Sequence, residues 1–116
     1  MDFNLYQEKA HVTAGYPFGT IGKKANAACY IYPALGLAGE AGEVAGKFAK
    51  VVRDNEGVID EARKFEIVKE LGDVLWFVAE CCIVLRIDMN EVAELNLKKI
   101  ADRKARGVIH GSGDNR

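Results

Sequence analysis

Glu40 and Glu43 stand three residues apart, as do Glu70 and Asp73, the spacing that sets both members of a pair on one helix face. The two pairs are mirror images about Glu56-Gly57. An antiparallel helical hairpin turning there puts Glu43 level with Glu70 and Glu40 level with Asp73, so four carboxylates converge. Carboxylates held that close repel one another or take up protons unless a cation lies among them. Ligands made only of oxygen favour a hard divalent ion, with Mg2+ first and Mn2+ as its substitute. We therefore expect Glu40, Glu43, Glu70 and Asp73 to be the metal ligands and catalytic groups of one site. A single acidic pair is ordinary on a solvated helix face. Glu70 and Asp73, however, adjoin the apolar run from Val74, where ionised groups need a partner.

A second set is basic. Asn96, Lys99 and Arg103 fall at i, i+3 and i+7 and make one stripe on a later helix. As a solvated face this needs no further role; turned towards the acids, it offers donors to phosphate oxygens while a metal bridges them from the other side. Lys47, one turn beyond Glu43, adds to that set, and Lys50 is a lesser candidate. The tail Gly111-Ser112-Gly113-Asp114-Asn115-Arg116 is too polar and glycine-rich to pack alone. It either stays disordered or covers phosphate through its backbone N–H groups and Arg116. His11 and His110 lack catalytic companions and read as ordinary surface or partly buried residues. Trp76, Tyr30, Tyr32 and Phe48 read as core, although one aromatic near the acids could serve a nucleobase. Cys29, Cys81 and Cys82 are odd in number and include no Cys-x-x-Cys pair, which suits buried reduced thiols and argues against structural zinc. No Glu-x-x-His accompanies the acids, which lowers the prospect of di-iron chemistry.

The elements that must position these groups are all helical. Asp2 caps a first helix to about Thr13, with Phe3, Tyr6 and Ala10 on one side. Residues Phe18 to Tyr32 read partly as loop and partly as short helix. Pro33 sits where a second helix can begin, and Leu37, Ala41, Val44, Ala45, Phe48 and Val52 carry its apolar face to a stop at Gly57. Gly36, Gly39, Gly42 and Gly46 form a separate stripe there, each costing on the order of 1 kcal/mol relative to Ala. A tight helix crossing explains that cost, with room for a ligand as the alternative. Asp60 caps a third helix to about Leu85. From Val74 to Leu85 that helix is apolar almost all round apart from Glu80, as expected of a helix enclosed by neighbours or by another subunit. Asp88-Met89-Asn90-Glu91 has the form of a capping box and opens a fourth helix that ends near Ala105, before Gly107.

Composition sets the outer limits. With 116 residues, 49% hydrophobic and 28% charged, the chain fits one domain spanning 1–116 with a modest core and a polar tail over 107–116. Sixteen basic residues against 17 acidic ones, a formal net charge of -1, leave no broad footprint for nucleic acid. No apolar segment reaches the length of a membrane span, and Met1-Asp2-Phe3-Asn4 lacks a basic region followed by an apolar run. A cytoplasmic protein with neither a nucleic-acid nor a membrane partner is expected.

Gly36-Leu37-Ala38-Gly39-Glu40-Ala41-Gly42-Glu43-Val44, followed by Lys69-Glu70-Leu71-Gly72-Asp73-Val74-Leu75-Trp76, resembles the signature of the MazG-like all-α nucleoside triphosphate pyrophosphohydrolases: Glu-Glu-x-x-Glu, a spacer, then Glu-x-x-Asp. Asn96-Leu97-Lys98-Lys99-Ile100 with Arg103 is similar to the family's Asn-x-x-Lys-[Leu/Ile]-x-x-Arg, so the likeness covers most of 33 to 116. One departure matters: Gly39 stands in place of the first Glu, which leaves metal binding to Glu40, Glu43, Glu70 and Asp73. The resemblance implies an all-α fold, a four-helix MazG-like bundle completed by oligomerisation as a homodimer or homotetramer. It implies hydrolysis of a nucleoside triphosphate, deoxynucleotides or aberrant nucleotides foremost, to monophosphate and pyrophosphate, with Mg2+ held by the four acids. Lys47, Lys99 and Arg103 would offset triphosphate charge and Asn96 would help to hold substrate. Two rivals remain at this point: a non-catalytic helical interaction module with a structural cation, and a related phosphohydrolase with a different product.

Overall fold

Four helices, α1 (Phe3–His11), α2 (Ala27–Asn55), α3 (Glu61–Leu85) and α4 (Met89–Ala105), carry the architecture, and no strand occurs among the described residues. The structure is a computed structural model and describes residues 1–16 and 27–116. Most of the segment expected to be part loop and part short helix therefore lies outside the described residues, while its last part, from Ala27, belongs to α2. The second helix thus begins before Pro33 rather than at it. Proline removes one intrahelical N–H and crowds the preceding turn. Here the ring is among the most completely buried side chains of the protein, and that packing offsets the lost bond.

The hairpin turn forms as the sequence requires. Glu56 and Gly57 take left-handed φ values of 52° and 79°, and the Gly57 N–H returns to the Val51 carbonyl at 3.1 Å, satisfying an end-of-helix acceptor. The Asp60 carboxylate then accepts the Arg63 N–H at 2.8 Å and caps α3. The register across the hairpin is the mirror expected: Gly36 faces Phe77 and Lys47 faces Glu66, each partner equidistant from Glu56-Gly57.

Glycine has a reason at Gly36, where an added Cβ would lie 2.1 Å from the Phe77 ring, so the crossing is tight. Gly39, Gly42 and Gly46 meet nothing within 4 Å in the chain. The close-crossing explanation thus accounts for one glycine of the stripe and not for the other three.

Ala10, Ala79, Cys82 and Met89 form the buried core, with Tyr6, Leu75, Trp76, Val78 and Ile87 packed on it. α1 lies on α3, and α4 docks on α1 rather than on the hairpin. The expected Asp88 cap does not form, since its side chain makes no bond to the helix start. α1 supplies the caps instead. Gln7 Oε1 accepts the Met89 N–H at 2.8 Å, Asn4 Oδ1 accepts the Asn90 N–H at 2.9 Å, and Asn90 Oδ1 in return accepts the Phe3 N–H at 3.1 Å. Two helix starts cap each other, which fixes α4 to α1 at one end only.

Much apolar surface remains uncovered. Val52, Phe65 and Leu97 are each more than 60% exposed, and Phe48, Val68, Leu71, Leu95 and Ile100 are also exposed. A compact monomer of this mass exposes about 6,200 Å2 by the surface–mass scaling, whereas this chain exposes 8268 Å2. Its radius of gyration is 17.2 Å, against about 13 Å for a compact domain of this length. Among the described residues no helix is long and apolar enough to cross a membrane.

Candidate metal centre

The hairpin brings three of the four expected acids together. Glu40 from α2 and Glu70 and Asp73 from α3 each present a carboxylate oxygen, all within 4.8 Å of one another. Glu43 stays outside that cluster and is exposed, though its charge still acts on Glu40. Desolvation and the charges of Asp73, Glu70 and Glu43 raise the Glu40 carboxyl above the usual carboxylate range. Like charges held this close disfavour ionisation of one another. The donor set, oxygen alone, fits a hard divalent ion.

Lys47 sits in the same seam. Its Nζ lies 3.1 Å from Glu66 Oε2 and 3.3 Å from Glu70 Oε1, and those hydrogen bonds hold the ammonium above its usual pKa. The lysine expected to face phosphate is thus paired with acids, one of them in the cluster. Lys47 and Lys50, with Val51, Arg63, Phe65 and Glu66, also line a cavity of about 490 Å3 further along the hairpin.

Two polar features escaped the sequence reading, one beside the acids and one in the core. Burial, and then the charge of Asp73, raise the Tyr6 phenol, so α1 places a hydroxyl in the field of the cluster. Sequence put Tyr6 on an apolar face but gave no crossing angle for α1. Glu80, fully buried, takes a 2.6 Å hydrogen bond from the Tyr16 hydroxyl, and His11 Nδ1 lies 3.2 Å from the same oxygen. His11 is thus partly buried, one of the two environments expected of it, and has a buried partner that the sequence did not indicate. The available signal was Glu80 itself, a lone acid inside the most apolar helix.

The aromatics correct another expectation. Tyr30, Tyr32 and Phe48 are all exposed by more than two fifths, so within one chain they are not core. Tyr32 stacks on Tyr16 at 4.9 Å and tilts against Phe77 at 5.9 Å, while Phe77 meets Trp76 edge-on at 4.9 Å. This aromatic layer begins one helical turn from Glu40 and Asp73.

The basic stripe is placed elsewhere. Asn96 and Lys99, with Val92 and Leu95, line an open cavity of about 340 Å3 on α4. Arg103 is buried and donates to Asp114 of the tail, and Lys99 lies 3.7 Å from the same carboxylate. Arg116 donates to the carbonyls of Val108, Ile109 and Gly113. The tail consequently packs against its own helix end and does not reach the acids. Because α4 docks on α1, one chain does not bring Asn96, Lys99 and Arg103 onto the hairpin.

Comparison with known proteins agrees with this geometry. The Gene 37 protein of Mycobacterium phage L5 is 42% identical over 116 residues, the full length of both chains. No solved structure matches the chain. The family described as the MazG nucleotide pyrophosphohydrolase domain matches residues 33–108, which contain the acid hairpin and all of α4. An all-helical chain whose matched segment brings Glu40, Glu70 and Asp73 within reach of one ion belongs to the MazG nucleotide pyrophosphohydrolase family.

Proposed function

We propose that the protein is a Mg2+-dependent nucleoside triphosphate pyrophosphohydrolase that yields monophosphate and pyrophosphate, acting in the cytoplasm on deoxynucleotides or aberrant nucleotides as a pool cleanser. The observation that carries this reading is the three-acid cluster of Glu40, Glu70 and Asp73 in a MazG chain. These residues would hold Mg2+, with Mn2+ as substitute, and the ion would neutralise charge on the phosphoryl oxygens. Glu43, close to the cluster but outside it, is available to orient the attacking water and take its proton. The water oxygen bonds to the α-phosphorus, the bond from that phosphorus to the bridging oxygen breaks, and pyrophosphate leaves with the electron pair. Lys47 is tied to Glu70 at 3.3 Å and is placed to exchange that carboxylate for a phosphate oxygen.

The cations of α4 complete the site from a second copy of the chain. Two features support this. The acids and the basic stripe occupy elements with no extensive packing between them among the described residues, and the excess exposed area, roughly 2,000 Å2 over a compact monomer, matches what association buries. Assembly as a homodimer or homotetramer follows.

Incubation with a panel of deoxy-, ribo- and modified nucleoside triphosphates, with Mg2+ or with EDTA, tests the reaction. Pyrophosphate release that stops in EDTA is expected; orthophosphate as the product, or no turnover of any nucleotide, refutes it. Mixing Glu40→Gln, inactive alone, with Lys99→Ala, weakened at nucleotide concentrations below its raised KM, should give more activity at those concentrations than the two proteins kept apart, because one site in the mixed assembly then keeps both sets. No recovery after refolding the mixture would place the whole site in one chain.

A further inference from the structure

Arg103 is the most deeply placed cation of α4, 9% exposed, and its Nε is buried without a hydrogen-bond partner among the described residues. An unpaired buried donor is uncommon, because an acceptor normally recovers its lost hydration. The neighbouring Nη2 is used twice, donating to the Asp114 carbonyl at 2.8 Å and to Asp114 Oδ1 at 3.3 Å. That same Oδ1 lies 3.7 Å from Lys99 Nζ. One tail carboxylate therefore rests between two cations while half of the guanidinium edge stays empty.

Nε and Nη2 are the parallel donors with which arginine grips two oxygens of one anion, as Arg53 grips both oxygens of Asp54, while Arg106 turns the same two donors on a single oxygen of Asp102. Asp114 satisfies only one of them. Its own side chain is 87% exposed and packs against little. The tail is anchored largely by other bonds, from Arg116 to three carbonyls and from Arg106 Nη2 to the Arg116 carbonyl at 2.8 Å. Gly111 and Gly113, at φ values of 141° and 83°, give the backbone beside Asp114 conformations that side-chain-bearing residues rarely adopt. The cavity lined by Val92, Leu95, Asn96 and Lys99 opens beside the pair.

We propose that Lys99 and Arg103 form a polyphosphate seat that Asp114 occupies as an internal competitor, and that an incoming polyphosphate displaces the carboxylate and engages both Nε and Nη2. The identity of the polyphosphate as a nucleotide's triphosphate rests on the function proposed above; the competition itself does not. Arg103, Lys99 and Arg116 hold the Asp114 carboxyl below the usual range, so it competes as an anion at any pH near neutrality. A tethered carboxylate competes at high effective concentration, and removing its charge should tighten binding of any ligand that must displace it.

The test is calorimetric titration of inorganic tripolyphosphate into the full-length protein, the Asp114→Asn variant and the same variant carrying Lys99→Ala. Asp114→Asn keeps the backbone carbonyl that Arg103 uses and should bind tripolyphosphate about threefold to tenfold tighter, the size expected from losing two ion pairs whose shared carboxylate is largely exposed. Lys99→Ala should cancel most of that gain. Unchanged or weaker binding by Asp114→Asn, with thermal unfolding showing it folded, makes Asp114 a structural clasp and overturns the proposal; so does no binding by either protein. Tighter tripolyphosphate binding in a protein that hydrolyses no nucleotide would refute the proposed reaction and leave this inference standing.

Discussion

Replacing Gly36 by Ala should destabilise the protein, while the same replacement at Gly42 should not. Both substitutions add one methyl group to α2, and both gain about 1 kcal/mol of helix propensity. That gain cancels in the comparison, which leaves the surroundings. At Gly42 an added Cβ meets nothing within 4 Å, whereas at Gly36 it lies 2.1 Å from Phe77 Cε1. Ordinary contact begins at 3.4 Å, so ring or backbone must move by more than 1 Å. Phe77 has little freedom to yield, since Trp76 meets its ring at 4.9 Å and Tyr32 at 5.9 Å. Overpacking of this kind costs about 1–3 kcal/mol, which for a domain of this size separates the two variants by roughly 3–15 °C in Tm. Urea unfolding at one fixed protein concentration measures it. The strain falls one turn from Glu40 and Asp73, so Gly36→Ala should also lower Mg2+-dependent turnover at least tenfold. Two variants of equal stability would show that the hairpin is not held at the spacing described, and the argument for the acid cluster would lose its frame.

Three further outcomes follow from the same geometry. Desolvation and the neighbouring carboxylates raise the Glu40 carboxyl above its usual range, so the folded protein binds its proton more tightly than the unfolded chain does; its contribution to stability is full below the ordinary glutamate range and is lost as pH rises through the raised value. Metal-free unfolding curves from pH 4 to 7 should show that loss, and Glu40→Gln or added Mg2+ should remove it; an unchanged pH profile in Glu40→Gln refutes the crowding. Tyr16→Phe deletes the 2.6 Å donor to buried Glu80 and should cost about 1–3 kcal/mol by denaturant unfolding, with activity per folded molecule retained. Lys99→Ala should raise KM for the nucleotide with little change in Tm, because its only described ion pair is with exposed Asp114, whereas Arg103→Ala should lower both, since its guanidinium is buried and holds the tail.

The hairpin was legible because its information is local and redundant. Acid spacing, the Glu56-Gly57 turn and the Asp60 cap each specify it, and the mirror register follows from them. The departures come from contacts between elements distant in sequence. Asp88 reads as the cap of α4, yet Gln7 and Asn4 of α1 take that role, and periodicity carries no sign of which helix docks on which. Pro33 marks a helix start by local preference and is overridden by burial. Glu43 shares the motif spacing with Glu40 yet is exposed and outside the cluster, whereas Glu70 and Asp73 at the same spacing both join it, so spacing alone does not decide which acids meet. The Glu80 cluster with His11 and Tyr16 joins residues more than sixty positions apart, beyond what any local pattern encodes.

The separation of charge between elements bears on how such a site would work. The acids ride on a hairpin whose spacing is set by a ring wedged against a glycine, which suits groups that must hold an ion at fixed distances. The cations ride on α4, fixed to α1 by reciprocal caps at its start and uncovered along Leu95, Leu97 and Ile100. Acids and cations placed face to face in one chain would neutralise each other and leave little attraction for a triphosphate. Keeping them on elements without extensive mutual packing would avoid that collapse, and Lys47, paired with Glu70, and Asp114, paired with Arg103, would serve each side as local substitutes for the proposed metal and substrate. If a second copy supplies α4, as proposed, the nucleotide bridges two chains. Its binding free energy then also favours assembly, by about 2.7 kcal/mol at a hundredfold excess over Kd.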